Sequence, residues 1–83
     1  MAVNEARLSM FKKLQTICSA VVGVEESEVK PSSHFYDDLG VSIDELAEII
    51  TRTSQAFDIK IQKEDVETIS TVGDLLEFIE EQM

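Results

Sequence analysis

At 83 residues the chain is long enough for one small domain and too short to hold a deep enzyme cleft with stability to spare. Seventeen acids against seven bases leave a net charge of -10, which repels nucleic acid and anionic membrane and suits a basic protein partner. A hydrophobic fraction of 43% argues against disorder, and the single cysteine, Cys18, excludes an intrachain disulfide and fits a reducing, cytoplasmic setting.

The first residues, MAVNEARLSMFKK, hold no long apolar run, so neither a signal peptide nor a membrane span is expected. NEARLSMFKKLQTICSAVVG reads as a long first helix with Asn4 as its N-cap and Gly23 as its stop. Phe11, Leu14, Ile17, Cys18, Val21 and Val22 recur at three- and four-residue steps and form one apolar stripe. Residues 24–41 carry Pro31, Ser32, Ser33 and Gly40 without a sustained period. They read as a long loop with a short turn near Glu25–Val29, and Val24, Val29, Phe35 and Leu39 are its expected anchors.

SIDELAEIITRTSQAF is the second helix. Ile43, Leu46, Ile49, Ile50, Thr53 and Phe57 share one arc, with Asp44, Glu45, Glu48, Arg52 and Gln55 opposite. Its exposed N-terminal half is therefore acidic, a charge that Arg52 lowers. DIKIQ has no strand to pair with and is expected as an extended connector. KEDVETI predicts a short third helix, and STVGDLLEFIEEQM a fourth, capped by Thr71, with Val72, Leu75, Leu76 and Ile79 facing the core and Gly73 weakening its first turn. The pattern is that of one all-α domain spanning 1–83, a helical bundle with no alternating strands.

Three stretches carry a family resemblance: the loop VVGVEESEVKPSSHFYDDLG, the second helix with its exit (ELAEII, then FDIKI), and DVETISTVGDLLEFI. In this order and spacing the chain resembles the acyl carrier proteins of fatty-acid and polyketide synthesis. The resemblance implies a four-helix bundle with a long first loop and a short third helix. It also implies a 4'-phosphopantetheine arm, supplied from coenzyme A by a phosphopantetheinyl transferase and carrying acyl groups as thioesters. The expected partners are that transferase and acyl-transferring and synthase enzymes with basic docking patches, the chain itself acting as a monomer. Asp38, Asp44, Glu45 and Glu48 are the expected partner-binding acids, and Leu46, Ile50 and Phe57 would line the interior that shelters an apolar chain.

In this family the arm is attached to a serine at the start of the second helix, in a pattern close to Asp-Ser-Leu. A helix N-terminus suits that task, because its free N–H groups and partial positive charge favour a phosphate. This sequence departs from the pattern there. Laid on it without gaps, Phe35, Leu39, Gly40, Glu48, Phe57 and Ile61 match, Ser42 falls on the family's Asp, and Ile43 falls on its serine. An isoleucine cannot take a phosphodiester. Shifting one residue instead makes Ser42 the attachment serine, Ile43 the apolar residue after it and Asp44 the next acid. Val41 then supplies no carboxylate, an acid that in this family helps the modifying enzyme hold magnesium. Ser42 and Glu45 also spell a Ser-x-x-Glu capping box, in which the serine only satisfies a backbone N–H, worth about 1 kcal/mol. The leading reading is a carrier armed at Ser42; the alternative is a carrier-like interaction module that is not pantetheinylated.

No enzymatic constellation competes with these readings. Cys18 lies on the apolar stripe, as a buried small hydrophobe would. His34 is the sole histidine, with no serine–histidine spacing around it and no set of His/Cys metal ligands. The acids Asp37, Asp38, Asp44, Glu45 and Glu48 lack EF-hand spacing and read as a solvated face. Thr53, where a large apolar residue would fit, is expected as a back-bonded hydroxyl at the edge of the core.

Overall fold

The structure, a computed structural model, describes residues 5–82; the expected cap Asn4 lies outside them. Helix α1 spans Glu5–Val22, α2 Ile43–Phe57, α3 Lys63–Glu67 and α4 Val72–Gln82, with one 3-10 turn at Glu26–Glu28. The expected four-helix bundle, with its long first loop and short third helix, is therefore present. The third helix is shorter than its sequence pattern, closing before Thr68 and Ile69. Ile69 is buried in the connector that follows.

Helices α1, α2 and α4 surround a core in which Leu14, Phe35, Ile49, Leu75 and Ile79 are fully buried. On α1 only Leu14 and Cys18 are completely enclosed; Phe11, Ile17, Val21 and Val22 flank them half-buried. Burial pushes the Cys18 thiol up to about 11. The helix stops at Gly23, whose N–H donates to the Ser19 carbonyl at 2.9 Å. Arg7 of α1 is ion-paired with Glu80 of α4.

The long loop is held from both sides. From α1, the Gln15 side-chain amide donates to the carbonyls of Glu26 and Val29, each at 3.0 Å. Within the loop, buried Ser33 donates to the Glu28 carbonyl at 3.1 Å and accepts from the Lys30 N–H at 2.9 Å. From α4, two N–H groups that no helical carbonyl can satisfy are used instead: Val72 donates to Ser33 at 3.0 Å and Gly73 to Pro31 at 2.8 Å. Val29, Phe35 and Leu39 are buried as expected, and Val24 is half-buried.

Thr71 caps α4 as expected. Its Oγ1 accepts from the Asp74 N–H at 3.1 Å, while the Asp74 carboxylate accepts from the N–H groups of Ser70 and Thr71. These bonds, Ser70 first, hold the Asp74 carboxyl below its ordinary value. The connector after α2, residues 59–62, is neither helix nor strand, with Ile59 and Ile61 half-buried. It leaves α2 through Asp58, which is in the left-handed conformation.

Thr53 departs from expectation. It is completely buried, and its Oγ1 has no hydrogen-bond partner among the described residues. Exposed Thr51 does bond back, donating to the Ala47 carbonyl at 2.9 Å.

Candidate functional site

The stretch that precedes α2 is fixed before the helix begins. Phe35 is fully buried, its N–H donates to the Ser70 carbonyl at 3.0 Å, and its carbonyl accepts from the Val41 N–H at 3.0 Å. Between them the chain folds back on itself. The Asp38 carboxylate accepts from the His34 N–H at 2.7 Å, and the N–H groups of Asp38 and Leu39 both donate to the His34 carbonyl. Gly40, at φ +66, supplies the left-handed turn that most side chains disfavour. Val41 is then drawn into the core, which delivers Ser42 to the surface at the head of α2.

Ser42 is the N-cap. Its backbone is extended, at φ -86 and ψ 169, and its Oγ accepts from the Glu45 N–H at 3.1 Å. The Glu45 carboxylate reciprocates, accepting from the Ser42 N–H at 2.8 Å. The capping box spelled by the sequence is thus closed. The Ser42 residue remains exposed, and its hydroxyl hydrogen has no acceptor among the described residues.

The first helical residue is Ile43, and it is 77% exposed. This corrects its expected place on the buried arc of α2. At about 100° per residue Ile43 is only about 20° out of phase with Ile50, so periodicity puts both on one side. It lies roughly 4.5 Å beyond Leu46 along the axis, on the first turn of α2, where it borders an open cleft instead of closed core.

The four acids assigned to partner binding are not equivalent. Asp44, Glu45 and Glu48 share the first half of α2, whereas Asp38 belongs to the preceding loop. Glu45 is engaged in the cap, Asp38 in the loop, and Glu48 in an ion pair with Arg52 at 2.8 Å. Asp44 carries no hydrogen bond or ion pair among the described residues.

Beside Ile43 a cleft of about 430 Å³ runs between α2 and α3, with Tyr36 at its edge and Leu46, Ile50, Ile61 and Val66 in its walls. Tyr36 is 44% exposed and was not singled out by sequence reasoning.

Comparison with known proteins agrees with this architecture. The family model described as the phosphopantetheine attachment site matches residues 12–79. A solved acyl carrier protein from Enterococcus faecalis is 26% identical, with a TM-score of 0.78, over 93% of this chain and 98% of that one. Domains of this type carry and dock rather than catalyse. A match over most of the chain, on a bundle with the same architecture, makes this protein a member of the phosphopantetheine-attachment family and a carrier domain of the acyl carrier protein type.

Proposed function

We propose that this carrier domain works as a protein-docking module without a pantetheine arm, presenting the acidic head of α2 to basic partners of the kind carrier domains serve. One observation carries the reading. Ser42 stands outside α2 as its cap, and the first helical residue, Ile43, presents an exposed hydrocarbon side chain. The ungapped register, with Ser42 in place of the family's Asp and Ile43 in place of its serine, is consistent with this geometry. A hydrocarbon side chain offers no oxygen to a phosphate. The adjacent hydroxyl already uses a lone pair on the Glu45 N–H. The acids Asp44, Glu45 and Glu48 are retained, so steering toward a basic patch persists, and it weakens with salt.

A second reading has its own observation. Ser42 is exposed at the positive end of α2, and its hydroxyl hydrogen is uncommitted among the described residues, which suits a phosphodiester. Under it, Ser42 holds acyl intermediates as thioesters on phosphopantetheine for fatty-acid, polyketide or related synthesis, Leu46, Ile50 and Phe57 shelter the chain, and synthases and transferases dock at Asp38, Asp44, Glu45 and Glu48.

Intact mass spectrometry separates the two. The chain, Ser42→Ala and Ile43→Ser are each incubated with coenzyme A and a broad-specificity phosphopantetheinyl transferase, beside an acyl carrier protein as positive control. The expected result is no adduct on the native chain and an adduct on Ile43→Ser. An adduct on the native chain that disappears in Ser42→Ala would overturn the docking-module reading and establish the second.

A further inference from the structure

We infer that α1 carries a self-association face, along which a second copy of this chain packs antiparallel through Glu5, Leu8, Ser9 and Lys12. These four residues and Thr16 share the side of α1 turned away from Leu14, at about 100° per residue, and line an open groove of about 550 Å³ that also touches Ala56 of α2. Leu8 is 51% exposed and borders a second hollow, shared with Pro31 and Leu76. A lone exposed leucine needs no explanation, but one lying between two hollows makes a continuous apolar surface. None of the groove residues belongs to the cleft beside Ile43.

The charges on this face select the occupant. Helix α1 holds three of the chain's seven bases and one of its seventeen acids, so two copies at -10 repel least here. Acids on the far faces are screened over a Debye length of about 8 Å at physiological salt. The Glu5 carboxylate and the Lys12 ammonium have no hydrogen bond or ion pair among the described residues. A helical rise of roughly 10.5 Å keeps them from pairing with each other. Lys13 is turned aside, its ammonium 5.4 Å from the centre of the Phe57 ring. A two-fold axis between Leu8 and Ser9 satisfies both charges at once. It sets each Glu5 opposite the second copy's Lys12 and lays each Leu8 over the second copy's Ser9, whose small side chain lets the helices approach. In-register parallel pairing would set Glu5 on Glu5 and Lys12 on Lys12, so charge fixes the antiparallel sense. An acidic helix of another protein matches Lys12 but leaves Glu5 opposed; the second copy matches both. One helix face is less than the roughly 1,200 Å² of a stable interface, so the pair is weak, and the monomer that the resemblance implies predominates in dilute solution.

Sedimentation equilibrium on the full chain tests this, with a mixing experiment at its centre. The native chain is expected to self-associate as its concentration rises toward about 1 mM, and Leu8→Asp to weaken that association at least about tenfold, as loss of an apolar anchor does. Glu5→Lys sets bases against bases and Lys12→Glu sets acids against acids, so each variant alone is expected to stay monomeric. Mixed, the two restore both ion pairs and are expected to form a heterodimer. All three substitutions sit on exposed positions of α1, so the fold persists, which circular dichroism checks. A native chain that stays monomeric throughout, or a mixture no more associated than its parts, would overturn the inference. So would a monomeric native chain that instead captures a synthetic Leu/Glu amphipathic helical peptide at Leu8, since the occupant would then be a foreign acidic helix.

Discussion

Thr51 and Thr53 sit two positions apart on α2 and meet opposite fates. Thr51 faces water and returns its hydroxyl to the Ala47 carbonyl, whereas Thr53 is sealed in the core with an unpartnered Oγ1. An unmade bond on a buried hydroxyl costs roughly 1–3 kcal/mol, and a methyl group of similar size in its place incurs no such cost. Thr53→Val is therefore expected to raise unfolding stability by about 1 kcal/mol, read as a higher urea midpoint at unchanged slope. No change, or a loss, would mean that the hydroxyl has a partner. At this scale the sequence was only partly legible. Ser42 and Glu45 announced their capping box through spacing alone, because a cap is a local bond between residues three apart. The burial of Thr53 was also legible, from its phase on the helix, but the direction of its hydroxyl was not. Ile43 was misplaced for a related reason: phase describes angle around an axis, and exposure at a helix end depends on how far the neighbouring elements reach.

Among the elements, the long loop and α4 explain one another. Gly73 costs the helix roughly 1 kcal/mol of propensity relative to alanine. Its place becomes intelligible only in three dimensions, since a Cβ there would stand 2.8 Å from the Pro31 carbonyl oxygen. Gly73→Ala is thus expected to destabilise the protein by about 1–3 kcal/mol despite the better helix former, because it forces apart the Gly73–Pro31 hydrogen bond and the loop seated on it. Chemical denaturation of the two chains measures this; a stabilised alanine variant would show that the loop yields freely. The helices themselves were readable from apolar spacing, from the caps of α2 and α4 and from the glycine that stops α1, all features within a few residues of one another; the left-handed Asp58 that ends α2 was not. The loop's anchors were readable in part. Val29, Phe35 and Leu39 stood out as large apolar residues in a polar stretch. Ser33 did not, because a serine in a loop ordinarily faces water, and its burial depends on the Glu28 carbonyl and the Lys30 N–H gathering around it.

For the whole molecule, fold class followed from the absence of alternating segments, and the acidic surface from composition. The cleft between α2 and α3 was not legible, since it is made by two elements whose separation no periodicity encodes. The core sets a response to pH that can be worked out in sign. The Cys18 thiol is pushed from its ordinary 9.0 up to about 11 by burial, so the folded state disfavours the thiolate. Its contribution to stability is complete below pH 9 and is lost as pH rises toward 11. Asp74 acts in the opposite direction. Its carboxyl is held below the ordinary 3.8 by the Ser70 and Thr71 N–H groups, so its contribution is present above that value and disappears as pH falls through the depressed one. Urea unfolding across pH 8–11 is expected to show declining stability in the native chain and a flatter profile in Cys18→Ala. Parallel profiles would show that the thiol is not the group responsible.

The bond from the Phe35 N–H to the Ser70 carbonyl ties together residues 35 positions apart. Because synthesis runs from the N-terminus, the seat of Phe35, and with it the placement of Ser42 and Ile43, is incomplete until the stretch around Ser70 has left the ribosome. A nascent chain would thus carry the acids of α2 well before the turn that positions them is seated.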